Sequence, residues 1–194
     1  MWESGGMKVL FVCHGNICRS PMAEFVLKEL VRREVAKGGG RRGVLGEVVV
    51  ESAALHRDEL GNDIHRGTRE VLRREGIPFE RRAAWLLTAE KAKDYDLIIG
   101  MDSRNMADLQ RLVGAGEAGK IHKLTEFAGR MGKIKGTDPF GYRLGEFAGG
   151  AGDIADPWYT GDFERTFVEV WAGCRGLVEF LTRSQEIKGT DPFE

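Results

Sequence analysis

Cysteine is scarce in this chain: three residues of 194, and two of them lie within one short stretch. Such an inventory cannot build the disulfide framework of a small secreted protein. An excess of either charge is also missing, with 29 Lys and Arg against 30 Asp and Glu. That balance argues against a basic face for nucleic acid and against a polybasic membrane surface. No apolar run approaches the ~20 residues that span a bilayer, and no apolar signal region opens the chain. His14, His56, His65 and His122 show no ligand spacing, so no metal site is expected. What is present, 42% hydrophobic and 30% charged residues, suits a soluble globular protein, read as cytoplasmic.

The chemistry concentrates between Met7 and Ala23, MKVLFVCHGNICRSPMA. Met7 to Val12 is a short, nearly continuous apolar run, the pattern of a strand buried on both faces. At Ser20 the pattern turns to a helix start, with Ser20 as N-cap, Pro21 at the first helical position and Glu24 in the first turns. The intervening loop points backbone N–H groups into one concavity and so prepares an anion site. Cys13 stands at one end of the loop, where a helix N-terminus and a guanidinium favour the thiolate. Arg19 stands at the other, with a planar fork that holds two phosphate oxygens at once. A nucleophile at the floor of an anion cradle implies attack on a bound oxyanion, phosphate before others. No Gly-Lys-Ser/Thr closes the loop, so it is not a nucleotide-binding one.

Strands read over Glu47–Ala53, Asp96–Met101 and Ile121–Leu124 alternate with helices over Asp63–Glu75, after Thr88, and after Asp102 or Ser103. Arg82–Leu87 stays ambiguous between a turn and an extended piece. This order predicts an α/β fold: a doubly wound, mostly four-stranded parallel sheet with helices on both faces, in a single domain over 7–183. Residues 1–6 and 184–194 read as tails. Glu24–Lys28 and Glu29–Arg33 are expected as i,i+4 pairs on the exposed side of the first helix. Gly129–Gly152 reads as a long surface loop, and the heptapeptide IKGTDPF occurs twice, at 134–140 and 187–193, without a physical reason. Phe163–Arg183 carries an unbroken apolar stripe at helical spacing, with Cys174 on it as a core filler.

The loop Cys13-His14-Gly15-Asn16-Ile17-Cys18-Arg19-Ser20-Pro21 resembles the active-site loop of low molecular weight protein tyrosine phosphatases. Asp156-Pro157-Trp158-Tyr159, just ahead of the terminal helix, resembles that family's general-acid loop. The resemblance covers most of Met7 to Leu181. It implies Cys13 as nucleophile, Arg19 as phosphate clamp and Asp156 as general acid, then base. It implies further that Ser20 bonds the thiolate, Asn16 braces the loop, and Gly15 to Arg19 offer backbone donors. His14, Ile17, Trp158 and Tyr159 complete the expected substrate-binding set, and Cys18 is the family's second loop cysteine. The implied substrate is a phosphotyrosine protein, its phosphate held in the loop, with no cofactor. Where the family reads Ser-Ala-Gly-Thr and an aromatic, this chain has Ser52-Ala53-Ala54-Leu55-His56-Arg57-Asp58, so the usual aromatic wall is missing. An arsenate-reductase reading fails for want of a cysteine between Cys18 and Cys174. A protein arginine phosphatase, which carries Thr where this chain has Ile17, and a non-catalytic phosphate-binding module are the alternatives. Of three Asp-Pro-aromatic triplets, at Asp138, Asp156 and Asp191, Asp156 is the expected acid because an adjoining helix anchors it.

Overall fold

The structure, a computed structural model, describes residues 6–37, 45–130 and 152–186. Four parallel strands form its sheet: β1 (Lys8–Cys13), β2 (Val49–Ala54), β3 (Leu97–Gly100) and β4 (Ile121–Lys123), in the order β2-β1-β3-β4. Central β1 explains the apolar run of its sequence. Its side chains alternate between faces, and both faces are covered. Val9, Phe11 and Cys13 join one buried cluster with Met22, Phe127, Phe167 and Trp171, while Leu10 and Val12 join another with Ile98 and Leu109. The first cluster belongs to α1 (Arg19–Ala36), α5 (Leu124–Arg130) and α7 (Phe163–Glu186), and the second takes Leu109 from α4 (Ser103–Val113). Smaller helices are α2 (Arg66–Arg74), α3 (Ala89–Ala92) and α6 (Pro157–Thr160). This is the doubly wound α/β fold the alternation of elements predicts.

Several boundaries move. The first helix begins at Arg19 with Cys18 at the N-cap position, and no side chain caps it. Ser20 therefore lies inside the first turn with Pro21, where a missing N–H costs nothing. Glu24 and Glu29 make the expected pairs with Lys28 and Arg33, yet both carboxylates are buried. Local i,i+4 spacing identifies these partners, but not that Glu24 also meets Ser52 of β2 and Arg82. Thr88 and Asp102 cap α3 and α4 through their side-chain oxygens. The ambiguous 82–87 stretch is extended and pairs with the end of β2 through Ala54 N–H to Trp85 O, 2.7 Å, and Leu87 N–H to Ala54 O, 2.9 Å. Helix α5 runs to Arg130, into the stretch expected as loop. Residues 131–151 of that stretch and both IKGTDPF copies lie outside the described residues, as do Asp138 and Asp191.

Strand order reverses between β1 and β3, because β2 lies on one side of β1 and β3 on the other. Ligands of open parallel sheets bind at the carboxyl ends of strands at such a point. Cys13 is the last residue of β1, and Asp102 lies just beyond the end of β3.

Candidate active site

The loop between β1 and α1 turns sharply at Asn16, whose φ of 58° is the left-handed conformation that Asn tolerates better than most side chains. Asn16 secures that turn by donating from Nδ2 to Ser20 Oγ at 2.9 Å and Ser52 Oγ at 2.8 Å. Ser20 Oγ in turn lies 3.1 Å from Cys13 Sγ. The hydroxyl expected to cap the helix is thus held by the loop, beside the sulfur.

A buried polar network behind the loop is absent from the sequence reading. Arg82 donates from Nη2 to Asn16 Oδ1 (3.0 Å) and to Ser52 O (2.6 Å), and from Nη1 to Ser52 Oγ (2.7 Å) and to Glu24. Ser52 also donates to Glu24 Oε2 at 2.7 Å. Arg82 comes from an aperiodic segment beside two other charged residues, so nothing local distinguishes it from a solvated cation. Its partners are 30 to 66 residues away.

Arg19 is almost fully buried, and its side chain spans the switch point. Nη1 donates to Asp102 Oδ2 at 2.5 Å and Ile154 O at 3.1 Å, and Nη2 donates to Asp156 Oδ2 at 2.6 Å. Burial works against the charge, but Cys13, Asp156 and Asp102 outweigh it and hold the guanidinium more firmly protonated than usual. Nε is buried without a hydrogen-bond partner among the described residues, a donor available to an anion. The sequence marked Asp102 as a helix cap, which it is through Oδ1 to Asn105 N–H. Its second oxygen orients Arg19.

Asp156 lies 137 residues from Arg19, yet the segment before it is tied to the sheet end. Ile154 N–H donates to Met101 O at 2.9 Å, Ala155 N–H to Glu169 Oε2 at 3.3 Å, and Thr166 Oγ1 to Ala155 O at 3.3 Å. Asp156 Oδ1 accepts from Trp158 N–H and so caps α6.

A cavity of about 220 Å³ joins these parts, lined by Cys13, His14, Gly15, Ile17 and Cys18 from the loop and by Asp156, Trp158 and Tyr159. Asn16, Arg19 and Ser20 support the lining from behind. Trp158 and Tyr159 are 54% and 79% exposed, so the two rings stand at the mouth. From the segment after β2, Asp58 and Glu59 line the cavity. Burial, with the charge of Cys13 next, pushes the Cys18 thiol far above its ordinary range. His65 ties mouth to loop. Its N–H donates to Ile17 O at 2.8 Å, and its ring meets Trp158 edge-on and stacks on Phe163.

Residues 8–148 match the family described as low molecular weight phosphotyrosine protein phosphatase. The low molecular weight protein-tyrosine-phosphatase YfkJ of Bacillus subtilis is 32% identical over 181 residues, 93% of this chain and 99% of that protein. PtpA of Staphylococcus haemolyticus, which carries the same description, is 32% identical over 93% of this chain and 97% of its own. Among solved structures, the low molecular weight protein tyrosine phosphatase of Streptococcus pyogenes matches with a TM-score of 0.69 at 32% identity, over 94% of this chain and 98% of that one. YfkJ matches with a TM-score of 0.72 at 31% identity, over 97% of this chain and 100% of that one. With a cysteine and an arginine bracketing the turn at the end of β1, and with this likeness over nearly its whole length, the chain belongs to the low molecular weight protein tyrosine phosphatase family.

Proposed function

We propose that this enzyme hydrolyses phosphotyrosine in protein substrates through a phosphocysteine intermediate. One observation carries the reading: Arg19, next to a nucleophilic-type loop, reaches Asp156 at 2.6 Å while keeping a buried donor unpaired. An incoming phosphate takes Nε and the loop N–H groups of Gly15 to Arg19, and competes with Asp156 for Nη2. Asp156, released from the guanidinium, takes up a proton from solvent and faces the leaving oxygen. Cys13 Sγ attacks phosphorus, the P–O bond to tyrosine breaks, and Asp156 passes its proton to the departing phenolate. A water then attacks the thiophosphate, Asp156 takes its proton, and the S–P bond breaks to return Cys13 as thiolate beside Ser20 Oγ. Asn16 holds the loop in shape, and His14, Ile17, Cys18, Trp158 and Tyr159 contact the ring and its flanks. Sulfur, guanidinium and carboxyl account for every step without a metal.

Phosphoarginine is the second reading, favoured by the carboxylates of Asp58 and Glu59 in the cavity lining, which would attract a guanidinium. Ile17 weighs the other way, as a β-branched apolar side chain that crowds a guanidinium yet suits a flat ring. Phosphotyrosine and phosphoarginine peptides assayed side by side test this. A faster phosphotyrosine rate is expected, and an equal or faster phosphoarginine rate overturns it. Cys13→Ser must abolish turnover while phosphate binding persists. Activity surviving that change refutes the thiolate mechanism.

A further inference from the structure

At the rim of the cavity a second group of donors converges, from positions with no ligand spacing in the sequence. His14 and His56 stack face to face, their ring centroids 4.2 Å apart and their planes 15° from parallel. Backbone bonds hold the two residues together: His56 N–H donates to His14 O at 3.0 Å and Leu55 N–H donates to the same oxygen at 3.1 Å. Asp58 Oδ2 lies 2.8 Å from His14 Nε2. One ligand atom from each of His14, His56 and Asp58 lies within 4.8 Å of the other two, the one such grouping among the described residues. Behind it stands Asp108 of α4, whose Oδ2 is 2.9 Å from His56 Nε2. A carboxylate on one imidazole nitrogen, leaving the other for a metal, is the outer-shell arrangement that orients metal-binding histidines.

We propose that His14, His56 and Asp58 bind a divalent transition-metal ion of the Zn²⁺ type at the rim of the active-site cavity. Two imidazoles and one carboxylate suit this class, whereas Ca²⁺ and Mg²⁺ require oxygen-rich shells. Three protein ligands leave one tetrahedral position for water or a substrate oxygen. The ion replaces the proton shared by His14 and Asp58. Closing three ligands onto a metal at about 2.0–2.2 Å requires side-chain rotations that tilt His14 and His56 out of their stack, because each ring binds in its own plane. The side chains of His14, His56 and Asp58 are 42%, 40% and 66% exposed, so they have room to make them. Because His14 and Asp58 line the cavity, occupancy couples metal availability to substrate entry.

Calorimetric titration of Zn²⁺ into the full chain carrying Cys13→Ser tests the site, the thiolate being the competing metal ligand at this cavity. One ion per chain is expected, and Co²⁺ in its place should give d–d absorption without a sulfur-to-metal charge-transfer band. His56→Ala should weaken binding at least tenfold while leaving metal-free hydrolysis in an otherwise unchanged chain intact. Asp108→Asn, acting through His56, should weaken it about 10–100-fold. Zn²⁺ binding that is equally tight in both variants overturns the proposal, as does absence of binding by the parent. This test is independent of the reaction: failure to hydrolyse phosphotyrosine leaves the binding result standing, and the reverse also holds.

Discussion

The three cysteines show how environment alone divides one residue type into distinct chemistries. Cys13 sits 3.1 Å from a serine hydroxyl at the cavity floor. Burial pushes the thiols of Cys18 and Cys174 well above the ordinary range, so each stays protonated at neutral pH, and the thiol form is a poor nucleophile. Iodoacetamide near neutral pH should therefore alkylate one cysteine in the native chain, Cys13, and all three after denaturation. Mass spectrometry that finds Cys18 modified as fast as Cys13 contradicts this. The carboxyl side of the reaction is tested by Asp156→Asn, which should cut turnover of phenyl phosphate by about 10²–10⁴, the usual worth of a positioned acid. The loss should be smaller for p-nitrophenyl phosphate, whose leaving group needs less help, and an equal loss on both substrates would count against a proton-donor role. Cys13, Arg19 and Asp156 were legible because each sits in a contiguous motif with its local element. Asp102 was legible only as a cap, since its hold on Arg19 spans 83 residues. Stacked His14 and His56 left no local trace at all, because the meeting of two strand ends brings them together.

Helix α1 illustrates how far periodicity carries and where it stops. Its apolar positions and i,i+4 pairs were readable, but the exposure of Glu24 and Glu29 was not, since burial depends on what packs over them. Glu29 is held by Arg32 and Arg33, whose hydrogen bonds keep its carboxyl below the usual range against the cost of burial. Glu24 instead reaches across to Ser52 and Arg82, and through Arg82 to Asn16. The loop's left-handed turn thus depends on a cation from a distant extended segment. Arg82→Met should remove the donors to Asn16 Oδ1 and leave Glu24 with Lys28 and Ser52 alone. Hydrogen bonds to charged groups are worth about 1.5–3 kcal/mol each, so urea denaturation should reveal a loss of at least that size. Phosphate affinity should fall in parallel, because Asn16 would no longer be fixed from both sides. Unchanged stability with unchanged phosphate binding would mean that Asn16 needs only its two serines.

At the scale of the molecule, α7 holds the Asp156 segment against the carboxyl end of the sheet. Helix α7 contributes Glu169 and Thr166 to that segment, and α5 contributes Thr125, whose hydroxyl donates to Gly152 O at 2.8 Å. The two helices approach closely at two glycines of α7. A Cβ at Gly173 would meet Leu124 Cγ at 2.5 Å, and one at Gly176 would meet Phe127 O at 2.2 Å. Glycine inside a helix normally costs about 1 kcal/mol relative to alanine, so propensity alone predicts that Gly176→Ala stabilises. The contact here is with backbone, which cannot swing aside as a side chain end can, and overpacking of this kind costs about 1–3 kcal/mol. With a backbone atom that close, the cost belongs at the upper end of that range and exceeds the propensity gain by about 2 kcal/mol. The melting temperature should therefore fall by about 4–8 °C, at roughly 2–4 °C per kcal/mol for a chain of this size. Gly116→Ala is the matched control, because nothing lies within 4 Å of a Cβ there. Displacing α7 from α5 should also loosen the segment before Asp156 while leaving the Cys13 loop in place. Gly176→Ala should therefore slow phenyl phosphate turnover more than it slows alkylation of Cys13. A variant that melts at or above the parent, with the ratio of the two rates unchanged, would show that the helices can separate without moving the acid.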